Sequence, residues 1–155
     1  MSGLSAQTVS AITELRDRGP TPQSALLGAL RLVQLERGCV SPQEVQDVAA
    51  ILELSPAVVD GVARFYDEIS REPVGEHVLG VCRGIVCYLR GAPDLLHEVE
   101  QLLGIGPGQT AADRKVTLRA VECIGDCDHA PAALLDDAFI GPASIDLLRS
   151  RLERA

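Results

Sequence analysis

Val81-Cys82-Arg83-Gly84-Ile85-Val86-Cys87 and Glu122-Cys123-Ile124-Gly125-Asp126-Cys127 are the two stretches on which the reading of this chain turns. They hold four of its five cysteines, the first pair spaced C-x4-C and the second C-x3-C, with 35 residues between the pairs. Each pair closes an apolar run. Residues 77–82 are short and apolar and end in a thiol, while residues 116–121 alternate as a half-buried strand does. Two strand-end loops, each presenting two thiolates, can enclose one inorganic centre.

The spacing narrows the chemistry of that centre. A [2Fe–2S] cluster takes four thiolates, two per iron, so two ligand pairs must converge from separate loops. Gly84, Gly91 and Gly125 are expected to let backbone approach the sulfides and donate N–H bonds, since no Cβ obstructs them. Ile85, Val86 and Ile124 are expected to keep water away. Zinc competes as a metal, but structural zinc prefers C-x2-C knuckles, a tighter bite than either pair offers. A thioredoxin-type redox pair needs C-x-x-C, which is absent. A Rieske centre needs two histidine ligands, and of His77, His97 and His129 only His129 lies beside a ligand loop. The residues therefore read as one [2Fe–2S] cluster on Cys82, Cys87, Cys123 and Cys127, in a chain that passes electrons. A zinc-bound structural module stays as an alternative.

Other reactive side chains read as ordinary. Cys39, alone between Gly38 and Val40, reads as a buried apolar thiol. His77 and His97 read as surface or interface residues, and His129 as a surface residue with cluster tuning as its alternative. Glu122, Asp126 and Asp128 flank the second pair, and negative charge there is expected to lower a cluster's reduction potential.

Composition excludes several classes of function. The formal charge of −8 disfavours nucleic acid, which needs clustered Lys and Arg, and equally an anionic membrane surface. No apolar run reaches the roughly 18 residues of a membrane span, and the N-terminus lacks a secretory pattern. The expectation is a cytoplasmic chain without membrane insertion. There, paired cysteines bind metal or do redox work more often than they form structural disulfides, and an odd total points the same way. Hydrophobic residues make up 46% of the chain, enough for a packed core.

The first half reads as helices over about 5–18, 22–37, 42–53 and 56–69. Thr21-Pro22, Ser41-Pro42 and Ser55-Pro56 each place a hydroxyl cap before a proline at the first helical position, where its missing N–H is harmless. Glu44 completes a capping box with Ser41. Short connections suggest a compact bundle, with no catalytic pattern in it. After Arg71-Glu72-Pro73 the pattern changes to β-α-β-β-(β)-α. Its helices open at Gly91 and at Gly141-Pro142, and a glycine-rich loop covers 104–110. The expected domains are a helical bundle over 1–72 and an α/β domain over 73–155.

The cysteine spacing, with Cys127-Asp-His-Ala-Pro131 running on from the last thiol, resembles the thioredoxin-like [2Fe–2S] ferredoxins. More narrowly, the chain resembles the small iron–sulfur subunit of NADH dehydrogenases. The same subunit type occurs in NAD-dependent formate dehydrogenases and NAD-reducing hydrogenases. The Ser41-Pro42 and Ser55-Pro56 helices, and the Phe65-Tyr66 ending, look like that subunit's N-terminal bundle. The resemblance implies a thioredoxin-like ferredoxin domain behind a helical bundle. It places Cys82, Cys87, Cys123 and Cys127 on the family's cluster ligands. It also implies a partner subunit carrying FMN, its own iron–sulfur cluster and the NAD(H) site. This chain has no Gly-x-Gly-x-x-Gly fingerprint, so NAD is not expected to bind it, and it is not expected to be catalytic alone. A free-standing ferredoxin shuttling between enzymes is the other reading; the helical bundle argues against it, because a mobile carrier needs no docking module. Against the family pattern, Gly125-Asp126 and Asp128-His129 are more polar than in many relatives.

Overall fold

The computed structural model describes residues 3–155. They form two compact units, one running to Pro73 and the other from Val74 to Ala155.

The first unit is all helix. It comprises α1 (Ala6–Arg18), a 3-10 turn (Pro22–Ala25), α2 (Leu26–Arg37), α3 (Pro42–Leu52) and α4 (Pro56–Phe65). Hydroxyl caps start three of these helices. Ser5 accepts from the Thr8 N–H, Ser55 from the Ala57 N–H, and Ser41 forms a capping box with Glu44. Ile12, Leu26, Leu30, Val33, Val48, Leu52 and Val59 are buried at the centre, each worth about 1.5–3 kcal/mol relative to exposure.

Two boundaries differ from the expectation. Thr21-Pro22 opens a 3-10 turn without a side-chain cap bond, and the α-helix begins only at Leu26. The fourth helix stops at Phe65 rather than 69. Gln34 of α2 binds the segment that follows: its amide donates to the Glu68 carbonyl at 2.9 Å and accepts from the Ser70 N–H at 2.6 Å. Those two bonds hold the segment after Phe65 against α2.

The second unit holds β1 (His77–Cys82), α5 (Ile85–Leu89), α6 (Ala92–Leu103), β2 (Val116–Val121), β3 (Ala133–Leu135), β4 (Ala138–Ile140) and α7 (Ile145–Leu152). The sheet order is β2-β1-β3-β4. β1 runs parallel to β2, and the other pairings are antiparallel. A parallel pair needs a crossover, which α5 and α6 supply. Leu79 pairs with Leu118 and with Leu135, and Val81 with Ala133, so these side chains share one face. That face packs on Leu95 and Val99 of α6 and on Leu148 of α7. Gly80 and Cys82 belong to the opposite register.

In this unit, too, the structure corrects the sequence-based expectation. The segment between Cys82 and Cys87 is not wholly loop, because Ile85–Leu89 forms a short helix after Gly84. The last helix is capped by Ser144 rather than opened by Gly141-Pro142. Asp136 turns β3 into β4 with φ +54. Among the described residues no helix is long and apolar enough to cross a membrane.

Candidate metal centre

β1 is a central strand, and its last residue is Cys82. The Cys82 N–H donates to the Ala132 carbonyl at 3.0 Å, and the next N–H, of Arg83, donates to the Val121 carbonyl at 2.8 Å. The strand thus stays paired on both sides at the thiol. One turn of α5 then returns Cys87 to the same place. Cys82 and Cys87 are 1% and 2% exposed, and they pack with Ala92 and Ala132 under Ile124 and Ala130.

The second pair leaves from an edge strand. Cys123 lies two residues beyond β2, and Cys127 begins a 3-10 turn ending at His129. Both thiols are exposed, and their sulfurs stand 3.7 Å apart. A tetrahedral first-row ion with metal–sulfur bonds of about 2.3 Å holds two thiolates roughly 3.8 Å apart. The spacing therefore suits two ligands on one metal.

The two loops meet at Gly84. A Cβ there would lie 3.0 Å from the Cys123 Cβ and 3.5 Å from the Cys82 Sγ. Electrostatics shows the same convergence. Burial first, then the Cys82 thiol and the nearby charges of Cys82 and Cys127, push the Cys87 thiol above its ordinary pKa. The Cys127 thiol is raised by its hydrogen bond with Cys123 first, with Cys82 and Asp128 adding to the effect. Thiols this close resist joint ionisation, because like charges repel in a poorly solvated site. A bound cation removes that resistance, since a coordinating thiol is deprotonated outright. One backbone donor already favours the thiolate: the Ala132 N–H points to Cys87. Among the described residues no three His, Cys, Asp or Glu side chains are gathered as a single-ion site. Two thiol pairs from two loops fit two metals with two thiolates each.

The residues around the thiols differ from expectation in three respects. Ile85 is 72% exposed and Val86 is exposed as well, so neither shields the site; only Ile124 packs against it. The cause is α5, which turns its single buried position to Cys87. Gly91 approaches nothing within 4 Å and serves as a left-handed cap of α6. Gly125 likewise supplies a turn, with φ +87 in open space, and of these three glycines Gly84 provides the close approach. Finally, two of the acidic residues carry basic partners. Glu122 pairs with Arg83, and Asp126 with His129 Nδ1 at 2.6 Å, which raises the His129 pKa.

The remaining candidates lie elsewhere. Cys39 is half-buried, with its thiol pKa raised by burial, as suits an inert side chain. His77 Nδ1 meets Asp136 Oδ2 at 2.8 Å at the start of β1. His97 sits exposed on α6 beside Gln101. Arg83 is the residue that sequence reasoning misses. Its signal was available: opposite charges at Arg83 and Glu122 directly flank the first cysteine of each loop.

The family described as "Thioredoxin-like [2Fe-2S] ferredoxin" matches residues 12–154. The chain belongs to that family. Among its relatives in the thioredoxin-like [2Fe–2S] ferredoxins, a subunit of the NADH-quinone oxidoreductase of Pseudomonas aeruginosa is 41% identical over 132 residues, covering 85% of this chain and 80% of that one. The corresponding subunit of the Escherichia coli K12 oxidoreductase is 36% identical over 151 residues, 96% of this chain and 91% of that one. A solved NAD+-reducing [NiFe]-hydrogenase in the air-oxidised state shares the fold, with TM-score 0.69 at 23% identity. That match covers 83% of this chain but only 22% of the hydrogenase chain. The [2Fe–2S] cluster that names the family suits the donor set described above, four thiols in two pairs with a backbone donor beside them.

Proposed function

We propose that this chain is an electron-transfer subunit in which Cys82, Cys87, Cys123 and Cys127 hold one [2Fe–2S] cluster, within an NADH:quinone oxidoreductase. The observation that carries the reading is the meeting of the two thiol pairs at the adjoining ends of β1 and β2. When bound, the cluster supplies reversible one-electron chemistry. The chain's residues do the rest. The central strand and α5 bury one thiol pair, Gly84 lets the other loop approach, and the Ala132 N–H favours the Cys87 thiolate.

The relatives from NADH-quinone oxidoreductases support the quinone-linked parent complex over a formate dehydrogenase or a hydrogenase. The partner in this reading is a subunit that binds FMN and NAD(H), and the chain works on the cytoplasmic arm of the complex. Exposed Ile85, Tyr88 and Leu89 on α5, and Phe65 and Tyr66 at the end of α4, suit a chain that is covered by partners.

The test is EPR of the purified chain before and after dithionite, with iron and sulfide counted on the same sample. The expected result is about two irons and two sulfides per chain and a spin-½ signal that appears only on reduction. A colourless sample holding zinc after anaerobic reconstitution would overturn the reading. Co-purification with a flavin-bearing, NADH-oxidising subunit is the expected result for the complex; a chain that never associates with one is a free carrier.

A further inference from the structure

Arg83 directly follows Cys82, and Glu122 directly precedes Cys123. Arg83 Nε donates to Glu122 Oε1 at 2.8 Å, and its terminal Nη2 reaches the same oxygen at 2.6 Å. This contact lies just past the register pair Cys82 and Val121, where the two strands stop pairing and the loops diverge. The last backbone bond between them is Arg83 N–H to Val121 carbonyl. Beyond it, among the described residues, the ion pair is the side-chain bond that spans the two loops. The pair also borders a cavity of about 430 Å³, lined by Tyr88, Ala92, Pro93 and Leu96, that reaches Cys82.

We propose that Arg83 and Glu122 are positioning residues, an ionic clasp that holds the two cysteine loops together across the mouth of this cavity and slows the escape of iron from the site. The inference rests on the cluster reading given above. Both side chains are largely exposed, 62% and 67%, so the pair adds little to global stability. Its effect falls on the local opening of the two loops it joins, and local opening is governed separately from global unfolding. With the clasp broken, the Cys123 loop swings from Gly84 and the cavity admits solvent to Cys82.

The experiment uses the full chain with its cluster reconstituted, in four forms: wild type, Arg83→Glu, Glu122→Arg, and the two changes combined. Iron release from the dithionite-reduced chain to excess bipyridine is followed by absorbance. Bipyridine is uncharged, so it does not itself respond to the charge changes. Each single reversal places like charges face to face and is expected to speed release at least about threefold, with thermal midpoints nearly unchanged. The charge-swapped double variant is expected to return to within about twofold of wild type. Added salt is expected to speed wild-type release toward the rate of the single variants, because an exposed pair is screened. A wild-type chain that binds no iron and sulfide overturns the cluster reading and the clasp with it. A loaded wild type whose variants all release iron at one rate, or a swap as leaky as its parents, overturns the clasp alone.

Discussion

The two cysteine loops carry the same chemistry in opposite settings. Cys82 ends a strand with neighbours on both sides, and Cys87 returns on a short helix, so this pair is sealed. Cys123 leaves an edge strand and Cys127 opens a single 3-10 turn, so this pair stands in solvent. Here the central strand β1 ends in a buried thiol, and the edge strand β2 leads to an exposed one. The difference divides the labour. One loop is the buried floor of the site and the other its exposed flap.

Ligand removal tests this division most severely. Loss of groups that merely support a metal ligand costs 10–100-fold in affinity, so Cys82→Ser and Cys87→Ser should reduce iron per chain by more than about tenfold. Cys123→Ser and Cys127→Ser should retain more iron, because water reaches their exposed positions as a substitute ligand. Iron analysis after identical reconstitution measures both, and equal losses would erase the distinction between floor and flap.

Alkylation of the metal-free chain sharpens the same contrast. Cys123 and Cys127 should react with iodoacetamide roughly an order of magnitude faster than Cys82 and Cys87, since the sealed thiols lack access. Peptide mass spectrometry resolves the four sites. Equal rates would mean that the floor opens as readily as the flap.

The glycines of the two loops should fail for different reasons. Gly84→Ala puts a methyl 3.0 Å from the Cys123 Cβ, and overpacking of that kind costs about 1–3 kcal/mol. Gly125→Ala has open space but strains a left-handed backbone, at about 1–2 kcal/mol. Asparagine at position 125 should recover part of that loss, whereas no side chain at position 84 should do so. Urea midpoints of Gly84→Ala, Gly125→Ala and Gly125→Asn report the outcome.

The smallest effect lies at the far end of β1. Asp136 accepts from His77 Nδ1 and from the Val78 N–H, fastening the β3–β4 turn. That bond comes first in raising the His77 pKa, and Asp136 and Glu76 charges and the Ala155 backbone act in the same direction against slight burial. A raised histidine pKa stabilises fully below the unfolded value of about 6.5, and the gain is lost as pH rises through the folded value. The stability gap between wild type and His77→Gln should therefore be widest below about pH 6.5 and narrow as pH rises above it. A gap that grows with pH in thermal melts would reverse the assignment.

Much of this is legible in the sequence. A short apolar run locates β1 and alternation locates β2, Ser–Pro pairs locate α3 and α4, and cysteine spacing picks out the two thiol pairs. The failures share one cause. Gln34 fastens the segment after α4 through bonds to Glu68 and Ser70, more than thirty residues away in sequence. Ile85 and Val86 look like shielding in a linear reading, yet α5 turns them outward because Cys87 takes its inner face. The acidic cluster looks like unopposed charge until Arg83 and His129 are found beside Glu122 and Asp126.

The sequence by itself determined the thiol inventory, most of the longer helices and strands, and the family, because spacing, periodicity and caps are local and survive without contacts. Only the tertiary structure decided which thiols are sealed, which glycine is an approach and which a turn, and where Arg83 finds its acid. Those properties depend on strand order and on distances between segments remote in the chain. Central or edge placement is a property of the sheet, and neither cysteine loop encodes it alone.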